Sequence, residues 1–372
     1  MLMKIRLCFS AFICMLCLIL LQPCIAQEKK QADQYLFNDS HFHLTNYIQE
    51  GISIQKMLEL MDNKVARSTL FGIPLQQQWS YANSGDFAPD YYLETDAPLY
   101  YYSFTDASIA MEYRSLPKKQ QDRLDPMITG FNPSDMYGVK HIERVLRTFP
   151  GVFTGIGEFS IHKEFVSSKV SGEVASLTNP ALDSILAFSG EVGLLVILHN
   201  DVNFPMADEE TKPVYLEQTL DLFKRHTGTT IIWAHVGLGR IVRPFRYGAT
   251  PTGERLPSQV DVLEDILKDP TLSHIHFDLS WDEVAKYIVA SEESLENTAK
   301  VINRYPDRFL FGTDVVAPPN EDRYLAVYHM YQKLWDVLTP EAKEKVTKGN
   351  YIRLFDAARE QVRAWEKANI IR

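Results

Sequence analysis

Cysteine is nearly absent from this sequence of 372 residues. The chain has four cysteines, and all of them lie within its first 26 residues, at Cys8, Cys14, Cys17 and Cys24. Without this segment the chain has no thiol, which excludes disulfides, a thiolate nucleophile and metal binding through cysteine. Any metal site in the rest of the chain must therefore use histidine, aspartate and glutamate.

Long apolar runs are also missing after residue 26, and the one run before it is short. Two basic residues precede an apolar run at 7–21, which is followed by Cys24-Ile25-Ala26 and then by charged residues. This order predicts a signal peptide at 1–26, cleaved after Ala26. The run is shorter than the ~20 residues of a membrane-spanning helix. We therefore expect an exported chain, periplasmic or secreted, without a transmembrane span. A lipoprotein attached through Cys24 is an alternative, although Pro23 differs from the small residue that such processing prefers.

An excess of positive charge is absent. The chain has 38 lysines and arginines against 48 aspartates and glutamates, so its net charge is −10, and loss of the basic leader makes it −12. Nucleic acid is therefore not an expected partner. Apolar residues make up 45% of the sequence and aromatic residues 12%, enough for a large core without disulfides.

Eight short apolar runs alternate with longer helical patterns. The runs lie at 35–40, 65–73, 126–131, 152–159, 194–199, 230–235, 275–280 and 309–314. Strand, helix and turn thus repeat at the spacing of a parallel sheet. Eight such units favour a closed (β/α)₈ TIM barrel over an open doubly wound sheet, which usually has fewer strands. We therefore predict one α/β domain, a single (β/α)₈ barrel, at 27–372.

Residues with strong conformational preferences mark the ends of the predicted helices. Asn179-Pro180 begins a helix that Gly193 ends. Near the C-terminus, Gly349 is predicted to end one helix and Asn350 to cap the next.

The connection at 74–124 is longer than a barrel loop requires. It is rich in aromatic residues, including Trp79, and its pattern predicts a helix around 106–116. Because the insertion follows the second strand, it would lie on the catalytic face of a barrel. Its aromatic side chains either line the substrate pocket, with Trp79 as a binding residue, or fold as a subdomain packed on the barrel rim.

Residues of metal-ligand type stand at the ends of five predicted strands. His41 and His43 follow the first strand and point to the same side, because side chains alternate along an extended chain. The other four end later strands and are Glu158, His199, His235 and Asp314. Barrel closure brings these strand ends into one ring. Burying so many ionisable groups is costly unless they are paired or bind metal, so we predict a metal site.

Nitrogen and oxygen ligands without sulfur suit zinc, manganese, iron or nickel. We expect zinc, as one or two ions. Such a metal lowers the pKa of bound water to about 7 and polarises a substrate oxygen. Asp314, on the last strand, is the best candidate for the general base.

Other polar residues near the strand ends are candidates for substrate binding. His274 and His276 open the seventh strand and are expected to be structural, whereas Asp278 and Ser280 at its end reach toward the pocket. Arg240 follows the sixth strand and either binds an anionic substrate group or is a solvated surface residue.

The set His41-x-His43, His199, His235 and Asp314, in this order at strand ends, resembles the amidohydrolase superfamily of metal-dependent hydrolases. The segments 276–280 and 349–355 are similar to the branch that includes aminocarboxymuconate semialdehyde decarboxylase and related lactonases. The resemblance implies a metal held by His41, His43, His199 and Asp314, with His235 acting on the substrate. Glu158 resembles the glutamate that bridges two metals in some members, where others use a carboxylated lysine, so the number of ions stays open.

These observations together predict a metal-dependent hydrolase that cleaves a C–N or C–O acyl bond of a small molecule, in an amide, lactone or ester. One alternative is a decarboxylase of the same fold that uses the same metal. Another is a periplasmic binding protein that kept the barrel and lost turnover.

Overall fold

The fold is seen in a computed structural model, which describes residues 35–46, 50–73, 77–79, 104–163, 166–168, 176–203, 213–239 and 258–370. The predicted signal peptide, Arg240 and the larger part of the aromatic insertion lie outside the described residues.

Eight parallel strands form one sheet, in which each strand is hydrogen-bonded to the next along the chain. The strands are β1 (Phe37–Asp39), β2 (Val65–Leu70), β3 (Leu124–Ile128), β4 (Gly155–Ser160), β5 (Leu195–His199), β6 (Ile231–Trp233), β7 (Ile275–Asp278) and β8 (Phe309–Leu310). All eight predicted strands are therefore confirmed. Their residues are buried except for two partly buried positions in β2, as expected for a parallel sheet covered on both faces.

The first and last strands meet, which closes the sheet into a barrel. The Ser40 N–H donates to the Phe311 carbonyl oxygen at 3.1 Å, and the Asp314 N–H donates to the His41 carbonyl oxygen at 2.7 Å. Just beyond these bonds, Phe42–His43 and Val315–Val316 form a short parallel pair. The predicted (β/α)₈ barrel is confirmed.

Thirteen α-helices occur in the part of the chain that the structure describes. They are α1 (Ile54–Met61), α2 (Phe104–Ser115), α3 (Lys118–Gln121), α4 (Gly138–Thr148), α5 (Pro180–Val192), α6 (Leu216–Arg225), α7 (Gln259–Lys268), α8 (Asp282–Ile288), α9 (Glu292–Arg304), α10 (Glu321–Met330), α11 (Gln332–Val337), α12 (Pro340–Glu344) and α13 (Asn350–Asn369). Within these residues, each helix is too short or too polar to span a bilayer.

The predicted ends of α5 are confirmed. The Asn179 side chain accepts a hydrogen bond from the Ala181 N–H at 2.9 Å, and Pro180 occupies the first turn, where its missing N–H costs nothing. Gly193 ends the helix with a φ of 82°, a left-handed conformation that glycine adopts easily.

The predicted helix break at Gly349 and Asn350 is wrong. Both residues have right-handed helical angles, in a stretch that continues from a single π turn, Lys345–Gly349, into α13. The Asn350 side chain donates instead to the carbonyl oxygens of Pro306 and Phe309, at 2.7 and 2.8 Å. It therefore fastens α13 to the start of β8 rather than capping a helix.

The insertion after β2 is tied to the barrel at both of its described parts. The backbone of Gln77–Trp79 pairs antiparallel with Val166–Ser168, which follows β4. The predicted helix around 106–116 is confirmed by α2, whose Asp106 carboxylate accepts from the N–H groups of Thr129 and Gly130, both at 2.9 Å. This contact fixes α2 to the end of β3.

A buried carboxylate organises the opposite, N-terminal end of the barrel. Asp125 on β3 accepts from the guanidinium groups of Arg67, at 2.8 Å, and Arg359, at 2.6 Å, and from the Tyr351 hydroxyl at 2.8 Å. Because Tyr351 and Arg359 belong to α13, these bonds and the apolar residues of the same helix close the barrel floor.

We expect Asp125→Ala to lower the free energy of unfolding by about 3 kcal/mol, because it leaves two arginines without their buried partner. Chemical denaturation followed by circular dichroism measures this loss. Asp356→Ala is the matched control, since this carboxylate also pairs with Arg67 but is 54% exposed. It should cost less than about 1 kcal/mol. If both variants lost the same free energy of unfolding, Asp125 would not be the residue that organises the N-terminal end of the barrel.

Candidate metal centre

All six predicted metal ligands lie together at the C-terminal end of the barrel. The ring centres of the histidines are close, with His41 5.2 Å from His43 and 5.0 Å from His235, and His199 4.5 Å from His235. The carboxylates of Glu158 and Asp314 lie between the rings. The closed barrel thus brings together the six residues that the sequence predicts as ligands, and their role as ligands stays a prediction.

The backbone at the strand ends is shaped to make this approach. A Cβ atom on Gly312 would lie 2.6 Å from the His41 Cβ, so only glycine lets the segment after β8 pass so close to this histidine. His235 and Asp314 have positive φ angles of 57° and 54°. Such angles are unfavourable for side chains other than glycine and often mark functional sites. Here they turn the chain sharply at the ends of β6 and β8.

The first half of the cluster contains His41 and His43. The Oδ1 atom of Asp314 lies 3.3 Å from the His41 Nε2 and 2.9 Å from the His43 Nε2. The Oε2 atom of Glu158 lies 3.7 and 3.4 Å from the same two nitrogens. Two imidazoles and two carboxylates thus converge on one point, a donor set that holds a divalent cation.

The second half contains His199 and His235. The other oxygen of Glu158, Oε1, contacts the His199 Nδ1 and lies 3.5 Å from the His235 Nε2. The Oδ2 atom of Asp314 lies 3.9 Å from the same nitrogen of His235. Each of the two carboxylates therefore has one oxygen in each half.

Comparison with known protein families shows which family this chain matches. The amidohydrolase family model matches residues 39–357. The chain belongs to the amidohydrolase family. It is therefore an enzyme of the amidohydrolase type, and its buried histidine and carboxylate cluster fits a divalent metal site. A search among curated proteins finds no match to the sequence.

Solved structures of distant relatives share the fold. The probable 2-pyrone-4,6-dicarboxylic acid hydrolase of Acinetobacter baumannii, solved with citric acid bound, has 12% sequence identity and a TM-score of 0.50. An amidohydrolase from Burkholderia multivorans with bound HEPES also has 12% identity and a TM-score of 0.50. An uncharacterized TIM-barrel protein from Bordetella bronchiseptica has 14% identity and a TM-score of 0.51. Each match covers 86% of this chain and 99% of the other.

Asp278 and Ser280 lie behind the histidines of this amidohydrolase. Asp278 Oδ2 accepts from the His41 Nδ1 at 2.9 Å, and Ser280 Oγ lies 2.7 Å from the His235 Nδ1. Both side chains are fully buried. We therefore interpret them as positioning residues for the two rings. Direct binding of substrate by either one stays a prediction, as it does for Arg240 and for Trp79, whose side chain lies outside the described residues.

These bonds determine which ring nitrogens face the centre of the cluster. In its neutral form, which is the form that binds metal, His41 uses its Nδ1–H toward Asp278, so its Nε2 carries the lone pair. Ser280 donates its one proton to Asp278, so its oxygen accepts from the His235 Nδ1–H and leaves that Nε2 with a lone pair as well. Both Nε2 atoms are buried without a hydrogen-bond partner. A ring lone pair that faces a carboxylate oxygen is repelled by it. A cation bound between the two would remove this repulsion.

Two further residues of the site were missed in the sequence. Asp201 lies 2.9 Å from the His199 Nε2. Its position could have been predicted, because it follows His199 by two residues and side chains two apart in an extended chain point to the same side. Lys163 lies in the loop after β4, with its Nζ 3.6 Å from Glu158 Oε1. No strand-end pattern marks this lysine.

The charges of the cluster hold its carboxylates ionised. Burial acts to raise the pKa of Glu158, but Lys163 and His199 hold it well below its usual range. Burial acts in the same way on Asp314, and His41 and His235 keep its pKa below its usual value. Burial lowers the pKa of both His43 and His235. Burial also acts to lower the pKa of His41 and of His199, but Asp278 and Asp314 raise the pKa of His41 well above its usual value, and Glu158 and Asp201 raise that of His199. The centre therefore presents ionised carboxylates with neutral rings at His43 and His235, whereas His41 and His199 hold their protons more tightly than a free imidazole and would release them when a metal binds.

We expect Asp278→Asn to weaken divalent metal binding by about 10- to 100-fold, because the His41 ring loses the carboxylate that fixes its orientation. Competition against a chelator of known affinity measures the change. Asp282→Asn, at an exposed position four residues later on α8, is the matched control and should leave metal affinity unchanged. Wild-type affinity in Asp278→Asn would show that this carboxylate does not position a ligand.

Proposed function

We propose that the protein is a metal-dependent hydrolase that cleaves a C–N or C–O acyl bond of a small molecule, in an amide, lactone or ester. The observation that carries this proposal is the convergence of His41, His43 and Asp314, with the buried and unpartnered Nε2 of His41 among them.

The donor set suits zinc. Imidazole nitrogens and carboxylate oxygens, without sulfur, match the ligands of catalytic zinc sites. A divalent ion held there would supply a Lewis acid able to activate water and polarise an acyl oxygen. The residues that would hold it are His41, His43 and Asp314, with the predicted ligands Glu158, His199 and His235 beside them.

Asp314 is the general base in this proposal. Its side chain is 10% exposed, whereas those of the other five predicted ligands are at most 3% exposed, so it faces the open side of the cluster. Its Oδ1 contacts His41 and His43, which leaves Oδ2 to take a proton from the attacking water and pass it to the leaving group.

His235 is the second catalytic residue in this proposal. Its Nε2 is unprotonated because its Nδ1–H is held by Ser280, and burial keeps the ring neutral by lowering its pKa. A neutral ring with an inward lone pair either binds metal or accepts a proton at the substrate. Its distance of 3.9 Å from Asp314 Oδ2 places both proton acceptors on the same face of the site.

We expect Asp314→Asn to reduce turnover per bound metal by about 10²- to 10⁴-fold, the usual contribution of general acid–base catalysis. Metal content should fall much less, because the histidine ligands remain. The assay uses a panel of amides, lactones and esters, with metal content measured in the same samples. Asp322→Asn, on the exposed first turn of α10, is the control and should keep full turnover.

Equal turnover per metal in the two variants would show that Asp314 is not the base. If the wild-type protein hydrolyses none of the panel but releases carbon dioxide from a carboxylated substrate, the decarboxylase of the same fold replaces the hydrolase.

A further inference from the structure

Lys163 is a buried cation beside the candidate metal centre. Its side chain is only 8% exposed, and its Nζ lies 3.6 Å from Glu158 Oε1. A lysine is almost never buried to this degree unless it is paired. Paired with Glu158, this lysine brings a positive charge into the site.

The contact places that charge in one half of the cluster. Glu158 directs Oε2 toward His41 and His43, and it directs Oε1 toward His199, His235 and Lys163. The first half contains no lysine or arginine contact to a ligand atom among the described residues. The second half has the ammonium group within a few ångströms of the oxygen that a second metal ion would bind.

A metal ion in the second half would meet both repulsion and competition. It would share Glu158 Oε1 with an ammonium group, and like charges repel strongly where water is largely excluded. The Nε2 of His199 is already held by Asp201 at 2.9 Å, so the ring offers this half only its Nδ1. The first half differs in both respects, because the Nε2 atoms of His41 and His43 face the carboxylates of Glu158 and Asp314 without a nearby ammonium group from any residue that the structure describes.

We propose that Lys163 takes the place of a second metal ion and limits the centre to one ion, bound in the half that contains His41, His43 and Asp314. This inference rests on the proposed metal-dependent function. Lys163 is a positioning residue here, because it acts through Glu158 and not on the substrate.

The test is the number of zinc ions per chain after saturation and removal of excess metal, measured by inductively coupled plasma mass spectrometry. We expect one ion in the wild type and in Lys163→Arg, which keeps the charge. We expect two ions in Lys163→Met, which keeps the length of the side chain but removes the charge. Lys140→Met, which removes an exposed lysine on α4, should still bind one.

A spectroscopic measurement gives a second readout that does not depend on activity. With Mn²⁺ in place of zinc, Lys163→Met should show the exchange-coupled electron paramagnetic resonance signal of two bridged ions, and the wild type the signal of an isolated ion. If Lys163→Met is unstable by thermal melting, Lys163→Gln provides a second neutral variant.

The outcomes separate this inference from the function on which it rests. Two ions in the wild type, or one ion in a folded neutral variant, would overturn the role of Lys163 and leave a metal-dependent hydrolase intact. No ion in the wild type would overturn both.

Discussion

The structure depends on neutralising carboxylates that are buried at the strand ends. Glu158 divides its two oxygens between two pairs of histidines. Asp314 has one oxygen beside His41 and His43 and the other near His235. Asp278 and Asp201 bind His41 and His199 through their other ring nitrogens. Such a cluster is too costly to bury unless every charge has a partner. The Nε2 atoms of His41 and His235 are buried among these groups without a hydrogen-bond partner, and a bound cation would complete the cluster there.

The two ends of the barrel meet the same electrostatic problem in different ways. At the floor, Asp125 is paired with the permanent charges of Arg67 and Arg359, which gives a closed ion cluster that stabilises the fold. At the top, the partners are imidazoles, which are uncharged when they bind metal and can exchange protons. Stability and chemistry are thus separated along the barrel axis, as is usual for this architecture.

The sequence predicted the barrel and the membership of the ring because both depend on regular spacing. Eight apolar runs marked the strands, and ligand-type residues at their ends had to meet once the barrel closed. The spacing of residues gave less information about where side chains point once a strand has ended. Asp278 and Ser280 were predicted near the pocket, but spacing gave no sign that their side chains contact the Nδ1 atoms of His41 and His235. Lys163 was missed because it lies in an irregular loop, where no period indicates which side chains turn inward, and Gly349 fits a helix that its residue type does not predict.

The central claim is that a divalent ion binds between the histidines that follow β1 and the aspartate that follows β8. The most direct measurement is an anomalous difference map from crystals grown with zinc, with data collected on both sides of the zinc absorption edge. The account predicts one strong peak within bonding distance of the His41 and His43 Nε2 atoms and of Asp314. A map without a peak there, from crystals that contain zinc elsewhere, would contradict it.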